Sequence, residues 1–117
     1  MTRSVEQRIA DILESIERCR RYVALLDAGV VDLVDMVEDA IERNLQVIGE
    51  AANHLTPDVV DAHPEIAWPQ IRGFRNILVH RYFGVDLEVI RDVVEHHLPP
   101  LAEALRQHVE GGRASGA

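Results

Sequence analysis

From Val5 to Leu26 the chain places apolar residues at steps that alternate between four and three: Val5, Ile9, Ile12, Ile16, Cys19, Val23 and Leu26. That spacing keeps one stripe of an α-helix apolar at the period of a coiled-coil seam, a pattern a strand cannot present. Ser4 or Thr2 can cap the start, and Asp27-Ala28-Gly29 supplies a stop. A second stripe follows with Val34, Val37, Ile41, Leu45, Ile48, Ala52 and Leu55, on a helix starting near Asp32 or Asp35 and reaching Leu55. The short link between the two predicts an antiparallel pair. Cys19 falls within the first stripe and reads as a core residue.

Thr56-Pro57 then reads as the N-cap and first residue of a short helical turn that ends before Pro64. The segment from His63-Pro64 to Trp68-Pro69 reads as a loop. A third helix is expected from Pro69 to about His80, with Gly84 marking the turn after Arg81-Tyr82-Phe83. A fourth starts near Asp86 and carries Leu87, Ile90, Val94 and Leu98. Pro99-Pro100 must kink or restart it, because neither residue can donate a helix hydrogen bond. Leu101 and Leu105 continue its apolar face to about His108. The reading is all-α: an up-and-down bundle of four to five helices over residues 1–110, with residues 111–117 as a disordered tail.

The formal charge of −8 argues against a protein that coats nucleic acid non-specifically, since phosphate binding is driven by basic surface. A local basic site remains open. All twelve basic residues are Arg, and Arg72, Arg75 and Arg81 lie in a ten-residue stretch without an acid. Four of the five Phe, Trp and Tyr side chains fall between Trp68 and Phe83. One cysteine allows neither an intramolecular disulfide nor a cysteine metal site. No signal peptide or membrane-spanning apolar run is visible, so the expected location is cytoplasmic, with no membrane partner.

Chemistry concentrates in the stretch from Trp68 to Phe83. On one continuous helix Arg72, Asn76 and His80 share a face, and Arg75 borders it; Ile71, Phe74 and Leu78 form a competing apolar face. Spacing alone leaves two readings open. One is a solvated helix face with a histidine near the C-terminus, where the dipole favours a cation. The other is a site that brings a cation, an amide and an imidazole together.

The stretch Arg75-Asn76-Ile-Leu-Val-His80-Arg81-Tyr82 resembles the Arg-x4-His-x-Tyr motif of HepT-like toxins in the HEPN superfamily. The resemblance extends to Ala40 through Ala52 on the second helix, to Trp68, to Tyr82 through Leu87, and to Leu98-Pro99-Pro100-Leu101. It implies a HEPN-like helical bundle that forms a homodimer, with two motifs facing one cleft. It also implies metal-independent cleavage of RNA, with no cofactor. Its implied partner is a minimal nucleotidyltransferase antitoxin that transfers AMP to the motif tyrosine, here Tyr82. The residue types suit that chemistry. His80 can take the proton of an RNA 2′-OH, and Arg75 can stabilise charge on phosphorus. Arg72, Asn76 and Arg81 are the supporting or RNA-binding candidates.

Weaker candidates lie elsewhere. Glu50 and His54 share a helix face, but two positions make a poor metal site, and Glu50 is expected to pair with an Arg of the motif helix. His96 and His97 are expected on different faces of their helix as surface or boundary residues. Arg18, Arg20 and Arg21 read as a solvated face, with RNA contact as the alternative. Two rival functions stand beside the nuclease: a non-catalytic HEPN interaction module that dimerises and binds a nucleotidyltransferase, and the helical subunit of a complex whose activity lies wholly in that partner.

Overall fold

A computed structural model describes residues 3–28, 34–74 and 87–115. All regular structure among them is helical. The first helix, α1 (Val5–Asp27), is set by a capping box at Ser4. The Ser4 Oγ accepts from the Gln7 N–H at 3.1 Å, and Gln7 Oε1 accepts from the Ser4 N–H at 2.8 Å. Two of the donors left over at a helix start are satisfied this way. The expected stripe is the buried one: Ile9, Ile12, Ile16, Cys19 and Val23 are buried, and Val5 and Leu26 are partly covered at the ends.

Helix α2 (Val34–Asn53) runs antiparallel to α1. Its C-terminal half faces Arg3, Arg8 and Asp11 at the start of α1, while Ile41 lies beside Cys19. Val37, Ile41, Leu45, Ile48 and Ala52 fill the seam. Each fully buried aliphatic side chain contributes about 1.5–3 kcal/mol relative to exposure, so the two stripes are a large part of what folds this chain. Asn44 is also buried, and its amide nitrogen bonds the Ala40 carbonyl at 2.7 Å.

The short α3 (Pro57–Ala62) starts at Thr56 as expected, although the Thr56 side chain makes no capping bond. Helix α4 (Trp68–Arg72) begins one residue before Pro69, the expected start, and it stops at Gly73. The Gly73 N–H bonds the Pro69 carbonyl at 3.0 Å, and Gly73 itself has φ −85° and ψ 1°. At that ψ the chain leaves the helical path. A single helix from Pro69 to His80 is therefore corrected at Gly73, because the glycine turns the backbone after one helical turn.

After residue 86 come α5 (Leu87–Asp92), a π-helical turn (Val93–His97) and α6 (Leu98–Ser115). The Leu98 N–H bonds the Val93 carbonyl five residues back. This widened turn is how Pro99 and Pro100 are accommodated: their rings would otherwise press on carbonyls four residues earlier. It acts as a one-residue insertion in the stripe. Ile90, Val94, Leu98, Leu101 and Leu105 all reach the core, where an unbroken seven-residue step from Ile90 would have brought His97 inward. His96 and His97 do not part to separate faces. Both approach the Asp92 carboxylate, at 3.9 and 3.6 Å.

The α5–α6 rod lies antiparallel to α1. Arg91 pairs with Asp27 at one end, and His108 and Val109 meet Val5 and Ile9 at the other. Helix α1 is thus the central rod of an up-and-down bundle, with α2 and α6 flanking it. Helix α6 runs through Gly111 and Gly112 to Ser115, past both the expected helix end near His108 and the expected domain end at residue 110. Neither glycine takes a positive φ, so neither acts as a C-terminal stop. No described helix is long and apolar enough to cross a membrane.

Candidate active site

The segment leading into the motif is held against the last turns of α2. Trp68, Ile71 and Phe74 are buried there, and the Trp68 indole N–H bonds the His63 carbonyl at 3.0 Å. The closest approach is at Gly49. A Cβ at that position would lie 3.1 Å from the Ile71 carbonyl oxygen and 3.4 Å from Phe74 Cβ. No side chain fits between the helices at that point without a shift. The glycine thus sets how deeply residues 71–74 sit on α2.

Arg72, the last residue of α4, donates from Nε to the Ala52 carbonyl at 3.2 Å. That carbonyl belongs to the last turn of α2 and also accepts from the Leu55 N–H at 3.3 Å, so Arg72 adds a second bond at the C-terminal end of α2. Its side chain is tied to the scaffold. Helix α4 ends at Gly73, and the expected common face of Arg72 with Asn76 and His80 extends outside the described residues. Arg75, Asn76, His80, Arg81 and Tyr82 lie outside the described residues. The structure does place Phe74, their helical neighbour, buried against α2.

Among the described residues Glu50 forms no ion pair, and Arg72 donates to a backbone carbonyl instead; Arg75 and Arg81, the other motif arginines, lie outside them. Among the described residues no group of three or more His, Cys, Asp or Glu side chains converges as metal donors, and Glu50 with His54 does not make one. Arg18 pairs with Glu14 one turn earlier at 2.6 Å, and Arg20 and Arg21 are exposed. Gly49 was not singled out by the spacing argument. A lone glycine inside an otherwise regular amphipathic helix costs about 1 kcal/mol against alanine, and that cost was the available signal of a close contact.

Comparison with known proteins bears on the same stretch. The family described as Ribonuclease HepT-like matches residues 12–108, a span that includes α2, α4, the motif and most of α6. A protein of Methanocaldococcus jannaschii, provisionally named as an RNase, is 31% identical over 99 residues, covering 85% of this chain and 91% of its own. A Thermococcus cleftensis protein, provisionally named ribonuclease HepT, is 33% identical over 101 residues, covering 86% of this chain and 92% of the relative. A further M. jannaschii protein, whose name joins gamma-glutamylcyclotransferase to a provisional RNase, is 31% identical over 110 residues, and the chain spans 50% of its length. No solved structure matches the chain significantly. With four-fifths of its length inside the family match and relatives aligned almost end to end, this chain belongs to the HepT-like ribonuclease family.

Proposed function

We propose that the chain is an endoribonuclease that cleaves RNA without a metal ion and acts as the toxin of a toxin–antitoxin pair. The observation that carries this reading is the family match across residues 12–108, which contains Arg75, His80 and Tyr82 in the motif spacing. In the proposed reaction His80 accepts the proton of an RNA 2′-OH as that oxygen bonds to phosphorus. The bond from phosphorus to the 5′-oxygen breaks, and the leaving oxygen takes up a proton. An imidazole titrates near neutrality and serves either direction of transfer. Arg75 offers a planar fork of charged donors to the oxygens on phosphorus, where negative charge develops. Asn76 orients one of these partners. Arg81 contributes a further cation to RNA, and Arg72 supports the segment from its tie to Ala52.

Two copies in a homodimer would bring two such segments to one cleft. The cognate minimal nucleotidyltransferase would neutralise the toxin by placing AMP on Tyr82, adding bulk and a negative phosphate where RNA enters. No cofactor is required, and the setting for such a reaction is the cytoplasm.

The test is RNA cleavage by the purified chain. His80→Ala and Arg75→Ala are each expected to abolish cleavage with helical content unchanged, and chelator is expected to leave the parent rate unaltered. Parent-like cleavage by His80→Ala refutes the mechanism, and chelator-sensitive activity restored by a divalent ion assigns another nuclease class. A folded parent that dimerises and binds the nucleotidyltransferase without cleaving RNA would favour the interaction-module reading. Tyr82→Phe should retain most cleavage and resist the antitoxin, with AMP-sized mass additions confined to the parent.

A further inference from the structure

His63 and His108 lie 45 residues apart in sequence, yet their rings meet, with His63 Nε2 3.3 Å from His108 Nδ1. The ring planes cross at 66°. Both residues are held. The His63 N–H bonds the Val60 carbonyl at 3.2 Å, and its own carbonyl accepts from the Ile66 N–H at 3.2 Å and the Trp68 indole at 3.0 Å. Its side chain is only 12% exposed. His108 projects from within α6 and is half-buried.

The separation of the two nitrogens has a chemical meaning. A tetrahedral zinc ion with Zn–N bonds of ~2.0–2.1 Å holds two imidazole nitrogens ~3.3–3.4 Å apart. The pair already stands at that distance. On the far side of the His63 ring, Nδ1 lies 3.4 Å from Glu65 Oε1. A carboxylate there favours the tautomer with its proton on Nδ1, which leaves Nε2 a bare lone pair facing His108. An open groove of about 570 Å³ runs past His108, lined by Glu6 and by Val5, Ile9 and Leu13. It gives an ion a path from solvent, and Glu6 adds a negative charge to the approach.

We propose that His63 Nε2 and His108 Nδ1 chelate one zinc ion, with Glu65 orienting His63 from behind and water completing the coordination. Without the ion, His108 donates its Nδ1 proton to His63. With it, that proton moves to Nε2 of His108 through solvent, and both facing nitrogens donate to the metal. Neither ring changes its charge. Two imidazoles leave two of the four positions to water, so binding is weaker than at a site with three or four protein ligands. The ion clips the segment between α3 and α4 to α6, and through Trp68 it steadies the start of α4. It takes no part in the RNA cleavage proposed above, and the site does not depend on that reading.

The full chain is titrated with zinc sulfate against a chelating dye, and its thermal unfolding is followed by circular dichroism. At zinc about five times the measured Kd, the melting temperature should rise by about 4–8 °C. Magnesium should leave it unchanged, since that ion prefers oxygen ligands. His108→Gln should lose both the binding and the rise. Glu65→Gln alters an exposed side chain and should weaken binding about 10–100-fold. His96→Ala/His97→Ala should bind as the parent does; those rings approach Asp92 and are the rival donors among the described residues.

A parent whose melting temperature ignores zinc overturns the site, and the pair is then a hydrogen bond alone. A folded His108→Gln that keeps the rise overturns it too. Loss of the rise in His96→Ala/His97→Ala assigns the ion to the Asp92 cluster instead. Should His108→Gln fail to fold, nitrogen NMR of the parent decides. Zinc should then move the ring signals of His63 Nε2 and His108 Nδ1, and movement confined to other histidines overturns the proposal.

Discussion

Gly49 couples the stability of α2 to the placement of the motif, and substitutions there separate two opposing terms. In a helix interior alanine is favoured over glycine by about 1 kcal/mol. Against this, the new Cβ meets the Ile71 carbonyl oxygen at 3.1 Å and Phe74 Cβ at 3.4 Å, so α4 must retreat by a few tenths of an ångström. Helix α4 is five residues long and ends in a turn at Gly73, so a small retreat is inexpensive. Gly49→Ala should fall within about 1 kcal/mol of the parent, the propensity gain offsetting the contact.

Valine changes the sign. Its two γ-carbons enter an already closed contact, at a typical overpacking cost of about 1–3 kcal/mol, and about half of the propensity gain is lost. Gly49→Val should melt roughly 5–15 °C lower, at about 4–8 °C per kcal/mol for a domain near this size. Its activity should fall further than its stability, because misplacement of reacting groups by ~1 Å can cost about a hundredfold. Thermal unfolding by circular dichroism gives the first number. RNA cleavage at a temperature where both proteins are folded gives the second. A Gly49→Val protein with the parent's melting temperature and full activity would refute the argument that this contact positions the motif.

Two further outcomes follow from α1. Ser4→Ala removes the side-chain half of the capping box and should cost about 1 kcal/mol in chemical denaturation, whereas Ser4→Asp should be close to neutral; equal stability of Ser4→Ala and the parent would show the cap to be idle. Burial pushes the Cys19 thiol from 9.0 up to about 12. A pKa raised by folding means that this group's contribution is complete below pH 9.0 and is lost as pH climbs towards about 12. The parent should therefore lose stability relative to Cys19→Ala across that interval, and native Cys19 should resist thiol reagents at pH ~8 until the chain unfolds. Parallel pH profiles of the two proteins would count against this.

The long helices were legible because their signals are local and periodic. The steps of four and three in α1 and α2 name the buried residues almost without error, since a stripe that wide has no other way to leave water. The details that failed depend on backbone events which side-chain patterns report poorly. Gly73 reads as one more residue of an amphipathic segment, and only its ψ near zero shows that α4 ends there. Pro99-Pro100 announces a disturbance, but its form, a π turn upstream of the prolines, depends on which register keeps Leu98 and Leu105 buried. The partner of Arg72 was hidden for a similar reason: the Ala52 carbonyl, which also accepts from the Leu55 N–H at 3.3 Å, is an acceptor that no sequence pattern displays. The motif from Arg75 to Tyr82 is legible in the sequence, and it lies outside the described residues.

A chain of net charge −8 can still act on RNA, provided its acids sit where RNA does not run. Helix α2 illustrates the division. Glu38, Asp39 and Glu42 lie in its N-terminal half. They are dense enough that partial burial and the charges of Asp39 and Glu38 raise the Glu42 pKa. Arg43 and Gln46 follow, and then comes Gly49, where the segment leading into the motif makes contact. Along this helix the run of carboxylates thus gives way to Arg43 and Gln46 before the contact at Gly49. Repulsion between exposed charges falls off over about 8 Å at physiological salt, roughly five residues of helix rise. Arg43 lies within that distance of Glu38, Asp39 and Glu42, so its pull on a phosphate is weakened by the acids before it. Net charge describes the whole surface, but the order of charges along a helix decides which part of it repels a phosphate.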